Sequence, residues 1–159
     1  MSKSNKKNKH NDRIIASNRK AGHDYEILER YEAGLVLEGW EVKSLRANRA
    51  QLKDSYVVFK DGEVWMINTH IAPLPNASTH INPDPERSRK LLLNTREISK
   101  LQRSYALQGF SIVPLNLHWK GKLAKATVAV VRGKKQHDKR ESAKQADWRR
   151  QQSRLMTRK

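Results

Sequence analysis

Residues 54–71, DSYVVFKDGEVWMINTHI, place two short apolar runs on either side of Asp61–Gly62. Tyr56–Phe59 and Val64–Ile67 are rich in β-branched and aromatic residues, which suit a pleated surface. The Asp-Gly pair between them suits a type I′ turn, whose two central residues both need positive φ. The stretch predicts a β-hairpin and commits this part of the chain to antiparallel sheet.

The rest of the chain has to be compatible with that hairpin. Residues 23–39 alternate Tyr25, Ile27 and Tyr31 with charged neighbours, the pattern of a half-buried strand, and Gly34 marks a bulge or bend. Residues 38–50 fit a short helix, with Trp40 or Val42 and Leu45 on one face and Asn48 as the stop. Prolines at 73, 75, 83 and 85 exclude a regular element throughout 72–90 and predict a long loop ending in Arg87, Arg89 and Lys90. Residues 94–110 predict a helix: Asn94 caps it, Glu97 stands three residues on, Ile98, Leu101 and Tyr105 share a face, and Gly109 is placed to end it. Residues 110–133 predict two strands around a turn at Lys120–Gly121, the second carrying the buried run Val128–Val131. Antiparallel strands with an inserted helix point to a mainly β fold. The expected form is a closed antiparallel β-barrel of the oligonucleotide-binding (OB) type, with flanking short helices and a basic C-terminal tail.

Charge divides the chain further. Its 159 residues carry a net charge of +17. Residues 1–20 hold seven Lys/Arg against one acid, and 132–159 hold eleven against three; the stretch between holds fifteen against twelve. A nearly balanced domain, 14–132, is thus expected between a disordered basic arm, 1–13, and a basic tail, 133–159. The tail has Trp148, Leu155 and Met156 as its only sizeable apolar groups, a thin seam if it is helical, and alone such a helix is marginal. That much positive charge is rewarded by a polyanion, and nucleic acid leads: Lys and Arg release counterions from phosphates, while Trp148 and His137 suit stacking on exposed bases. The competing reading is a solubilising tail that meets nothing specific.

Other classes find little support. No apolar run approaches the roughly 20 residues of a membrane span, and the N-terminus has no apolar segment after its basic residues. The chain has no cysteine, and its six histidines show no H-x-x-x-H or H-E-x-x-H spacing, so neither a metal nor a cofactor is expected. The His23–Asp24 and His137–Asp138 pairs would point to opposite faces of a strand and make no ready dyad. Glu26, Glu29 and Glu32 supply carboxylates without a constellation around them, and no glycine-rich phosphate loop occurs. From these patterns alone the reading stops at an RNA- or DNA-binding β-barrel with basic arms.

Five stretches carry a resemblance. NRKAGHDYEI (18–27), YEAGLVLEGWEVKSLR (31–46), DSYV (54–57), RKLLLN (89–94) and GKKQHDKR (133–140) resemble, in order and spacing, the SsrA-binding protein (small protein B) family. The resemblance implies an OB-type barrel that is no enzyme. It implies binding to the tRNA-like domain of transfer-messenger RNA (tmRNA), and delivery of that RNA to stalled 70S ribosomes in the cytoplasm for trans-translation. A monomer when bound to RNA is expected. Asn18, Glu32 and Leu92 match the family's RNA-binding surface, and Arg19, Lys20, Lys43 and Lys90 are expected to add phosphate contacts. Gly133, Lys134, Lys135, His137, Asp138, Lys139 and Arg140 match the segment that meets small-subunit rRNA at the decoding centre. Trp148, Arg149 and Arg150 are expected along the mRNA channel, in a tail that becomes helical there. Two alternatives stay open: a small RNA-processing or RNA-modifying enzyme on the same barrel, and an architectural ribosomal protein.

Overall fold

The computed structural model describes residues 13–75, 82–107, 109–134 and 148–150. Its elements run β1 (Ile14–Ser17), α1 (Arg19–Asp24), β2 (Tyr25–Leu35), α2 (Gly39–Arg46), β3 (Ala50–Gln51), β4 (Tyr56–Lys60), β5 (Glu63–Ile67), β6 (His70–Ile71), β7 (Arg89–Leu92), α3 (Thr95–Ala106), β8 (Phe110–Lys120) and β9 (Leu123–Gly133). One seven-stranded antiparallel sheet has the order β1-β8-β9-β2-β7-β5-β4, and β3 pairs with β6 separately. The sheet curls until β4 lies alongside β8, although no hydrogen-bonded ladder joins them among the described residues. The fold is therefore mainly β and antiparallel with a few short helices, as expected.

Two register slips divide the interior. One lies between Ile27 and Glu29 in β2, the other between Pro114 and Asn116 in β8. Each inserts a residue, and so exchanges the faces of its strand. Before the slip in β2, Tyr25 and Ile27 pack with Ala21 of α1, Val113, Ala129 and Val131; after it, Tyr31 and Ala33 face the main core with Leu117, Trp119, Val128 and Val130. Over Val128–Val131, β9 is thus buried on both faces, which is why that stretch reads as an unbroken apolar run. Pro114 sits at the slip in β8, where a missing backbone donor costs least.

Local chemistry accounts for the elements that were expected. Asp61 and Gly62 have φ of 53° and 74°, as a type I′ turn requires, and β4 pairs with β5 from Tyr56↔Ile67 to Lys60↔Glu63. Asn94 and Glu97 form a reciprocal capping box on α3, and Leu101 is fully buried on its inner face. Tyr105 meets Phe59 edge-on at 5.2 Å. Asn48 follows α2 with φ of 57°, the left-handed stop expected of it.

Three boundaries differ from expectation. The β8–β9 turn is centred on Gly121–Lys122, because only Gly121 (φ 62°) takes the positive φ that a II′-like turn needs at its first position. α3 ends at Ala106, with Leu107 as its cap, before Gly109 is reached. The end of the proline-rich loop is strand: Arg89–Leu92 is β7, inserted between β2 and β5. β1 and α1, before residue 25, have no counterpart in the periodicity.

Candidate nucleic-acid interface

Residues directly opposed in neighbouring antiparallel strands share a face. One rung links Glu32 of β2, Thr127 of β9, Asn116 of β8 and Ser17 of β1. The next polar rung links His118, Lys125 and Gly34, and Gly34 faces Leu92 of β7. Lys90, two residues before Leu92, lies opposite Trp65 of β5. All of these lie on the outer face, because their chain neighbours Leu91, Ala126 and Leu117 are in the core. Leu92 is 53% exposed while Leu91 is 2% exposed, which sets the phase of β7. A Cβ on Gly34 would lie 3.3 Å from Leu92 Cβ, so the glycine lets β7 approach closely.

The polar half of this face is a linked set. Glu32 Oε1 stands 3.4 Å from Lys120 Nζ and 4.0 Å from His118 Nε2. His118 Nδ1 lies 2.8 Å from Asn116 Oδ1, which only accepts, so Nδ1 carries the proton. These residues, with Ile14 and Thr127, line a shallow pocket. Beside it, Leu92, Leu123, Leu37 and Val42 line an apolar hollow together with Lys122 and Lys125.

The second group stands at the other end of the Glu32 rung. Ser17 is three strands from Glu32, about 14 Å at ~4.8 Å per step, and the chain turns there into α1. Asn18 caps that helix: its Oδ1 accepts from the Ala21 N–H at 3.2 Å and its Nδ2 donates to the Pro114 carbonyl at 3.0 Å. Arg19 and Lys20 are thereby held on the surface, with Lys20 Nζ 3.4 Å from Asp54 Oδ1 across a cleft that also has Tyr25, Tyr56 and Ser111 in its walls. Gly133 is the last residue of β9, opposite Tyr25, and the Lys134 N–H donates to the Asp24 carbonyl at 3.0 Å. The sheet therefore runs past the boundary expected at 132, and both residues sit against the end of α1.

A buried ion network holds β7 in place. Glu41, in α2, and Arg89, in β7, are both fully buried and pair through Arg89 Nε and Glu41 Oε2 at 2.5 Å. Arg89 also donates to the carbonyls of Thr69 (2.6 Å) and Pro85 (3.0 Å). Glu41 Oε1 accepts from the Glu38 N–H at 2.7 Å and from Arg87. Burial raises the pKa of Glu41, but hydrogen bonds from Arg87, the Glu38 backbone and Arg89 outweigh it and hold the carboxyl below its ordinary value. Burial likewise lowers the pKa of Arg89, against the pull of Glu41.

Of the residues anticipated from sequence, Glu32, Lys90 and Leu92 share the outer sheet face, and Asn18, Arg19 and Lys20 adjoin it through β1. Lys43 is exposed on α2. Trp148, Arg149 and Arg150 are helical, with Trp148 60% exposed. Lys135, His137, Asp138, Lys139 and Arg140 lie outside the described residues, as does the arm over 1–12. Asn116, His118, Lys120, Lys125 and Thr127 were not anticipated; strand alternation in 110–133 would have placed them outward once the slip at Leu115 was known. Arg89, grouped with the loop cations from sequence, faces the core instead.

The sequence model of the SmpB protein family matches residues 15–158. An SsrA-binding protein of Paraburkholderia xenovorans is 60% identical over 142 residues, covering 89% of this chain and 96% of that protein. One from Coxiella burnetii is 56% identical over 144 residues, covering 91% of each chain. A solved chain described as "tmRNA-SmpB: a journey to the center of the bacterial ribosome" has a TM-score of 0.64 and 42% identity, covering 80% of this chain and 92% of its own.

Proposed function

The chain belongs to the SmpB protein family, and on that membership we propose that it binds the tRNA-like domain of transfer-messenger RNA and brings that RNA to stalled 70S ribosomes for trans-translation. It works as an RNA-binding factor in the cytoplasm, as a monomer on its RNA, and not as an enzyme. The observation that carries the reading is the outer sheet face, where Glu32, Leu92 and Lys90 converge beside Lys120, Lys125 and His118. Lysines there position phosphates, while Leu92 and the Glu32 carboxylate meet bases. Asn18 acts through its cap, which aims Arg19 and Lys20 at the RNA backbone. Lys43 adds a phosphate contact from α2. The curled sheet is the OB-type barrel, and the approach of β4 to β8 supports its closure.

The tail performs a separate task. In this reading Gly133 and Lys134 lead out of β9, and Lys135, His137, Asp138, Lys139 and Arg140 meet small-subunit rRNA at the empty decoding centre. Trp148, Arg149 and Arg150, already helical in the free chain, then follow the mRNA channel. The arm over 1–13 stays outside this division. The working boundary is placed after Lys134, because its N–H donates to the Asp24 carbonyl at the end of α1.

The test compares the full chain with a chain ending at Lys134, each titrated against transfer-messenger RNA and a control tRNA over a salt series. Both forms should prefer transfer-messenger RNA, within about threefold of each other, and only the full chain should support tagging on stalled ribosomes. Loss of the preference along with the tail would refute the division.

A further inference from the structure

Three lysines on the RNA-facing surface already hold a carboxylate. Lys90 Nζ is 2.8 Å from Glu63 Oε1, Lys20 Nζ is 3.4 Å from Asp54 Oδ1, and Lys120 Nζ is 3.4 Å from Glu32 Oε1. Glu32 belongs to the RNA-binding set proposed above; Glu63 and Asp54 do not. We propose that Glu63 and Asp54 are specificity-determining residues, which occupy Lys90 and Lys20 and so hold down the affinity of this protein for unselected polyanions. The inference rests on the function proposed above.

Both carboxylates are presented by fixed backbone. Glu63 opens β5, two residues before the rung that pairs Trp65 with Lys90, and faces Lys60 across the hairpin turn. Asp54 sits at φ of 63°, and its carbonyl accepts from Asn68 Nδ2 at 3.2 Å. Neither pair is sealed from solvent: side-chain exposures are 35% and 44% for Lys90 and Glu63, and 56% and 58% for Lys20 and Asp54. A phosphate can therefore reach each lysine, but it must displace the carboxylate or share the lysine with it.

That competition falls unequally on different RNAs. Partly exposed ion pairs of this kind are worth about 1.5- to 5-fold in an equilibrium. Non-specific binding is almost wholly a lysine–phosphate attraction, so it bears the full cost. Specific binding fixes the RNA's register through base edges and apolar contact, here at Leu92, so its phosphates can be held where they share each lysine's three N–H donors with the carboxylate, and the cost to it is smaller. For a chain with a net charge of +17, pairing the lysines nearest the reading surface raises the ratio of selected to unselected binding.

The experiment uses the full-length protein with Glu63→Gln, Asp54→Asn and the double substitution. Affinities for transfer-messenger RNA and a control tRNA are measured over a salt series, with unfolding midpoints to verify the fold. Each substitution should tighten control tRNA binding about 1.5- to 5-fold and transfer-messenger RNA binding by less. The control's salt slope should steepen by about 0.7–0.9 per lysine released. The Glu63→Gln gain should vanish in a Lys90→Ala background. Equal tightening of both RNAs, no tightening, or a gain that survives Lys90→Ala would overturn the proposal. A wild-type protein with no preference for transfer-messenger RNA would sink the functional reading and leave no selectivity for the carboxylates to set. That result appears before any variant is compared, so the two failures are distinct.

Discussion

Glu41→Gln tests whether the buried network holds β7 against α2. The substitution keeps the side chain's shape but removes its charge, leaving Arg89 fully buried without its anion. It also turns one accepting oxygen into a donor beside two guanidinium groups and the Glu38 N–H. Removing one partner of a buried pair costs about 3–5 kcal/mol, because the remaining charge stays desolvated. Domains of this kind have about 5–15 kcal/mol in all, so about a fifth or more is at stake. At ~2–4 °C per kcal/mol for a chain of this size, the melting temperature should fall by about 6–20 °C. Urea unfolding followed by circular dichroism should show a lower midpoint at unchanged slope. The acid limb supplies a second check. The folded-state pKa of Glu41 lies below its unfolded value, so the network's contribution is complete above about pH 4.3 and is lost as pH falls through the folded value. Wild-type stability should therefore drop below about pH 4 more steeply than that of the variant. A loss of less than about 1 kcal/mol, with both acid limbs parallel, would show that Glu41 does not hold β7 against α2.

Leu92→Asp should leave stability within about 0.5 kcal/mol, since the residue is half exposed, yet weaken transfer-messenger RNA binding at least about tenfold, by removing the apolar contact with bases and adding an anion to the field of a polyanion. Leu91→Asp, one residue away and in the core, should instead unfold the domain; equal effects of the two would contradict the assigned phase of β7. Tyr31 donates to Glu29 Oε2 at 2.5 Å, and its pKa is pushed up to about 12 by burial and by that carboxylate. The fold thus favours the neutral phenol, a contribution complete below about pH 10 and lost as pH rises towards 12. Ultraviolet absorbance titration of the four tyrosines should show one late component that Tyr31→Phe removes.

The Asp61–Gly62 hairpin, the Asn94 cap, the stop at Asn48 and the double basic ends were legible because each depends on residues a few positions apart. Turn φ, capping bonds and net charge need no knowledge of distant contacts. The short motifs were legible too, and with them Glu32 and Leu92 as residues to watch. β7 was hidden because RKLL follows a proline-rich loop and alternates for only four residues. Its strand state comes from pairing with β2 and β5, which flank it in the sheet but both precede it in the chain by more than twenty residues.

Antiparallel β character, the limits of α2 and α3 to within a few residues and the demand for a polyanionic partner could all be read from the chain before it is folded. Which side chains share a face depends on the packed molecule. The slips at Leu28 and Leu115 reverse the side to which every later residue of β2 and β8 points, and no local pattern announces them. Periodicity of two fixes alternation but not phase; phase is set by what packs on each face. For that reason Arg89 was read as a surface cation and is a core anchor, while Lys125, Lys120 and His118 were overlooked and stand beside Glu32 and Leu92 on the outer face.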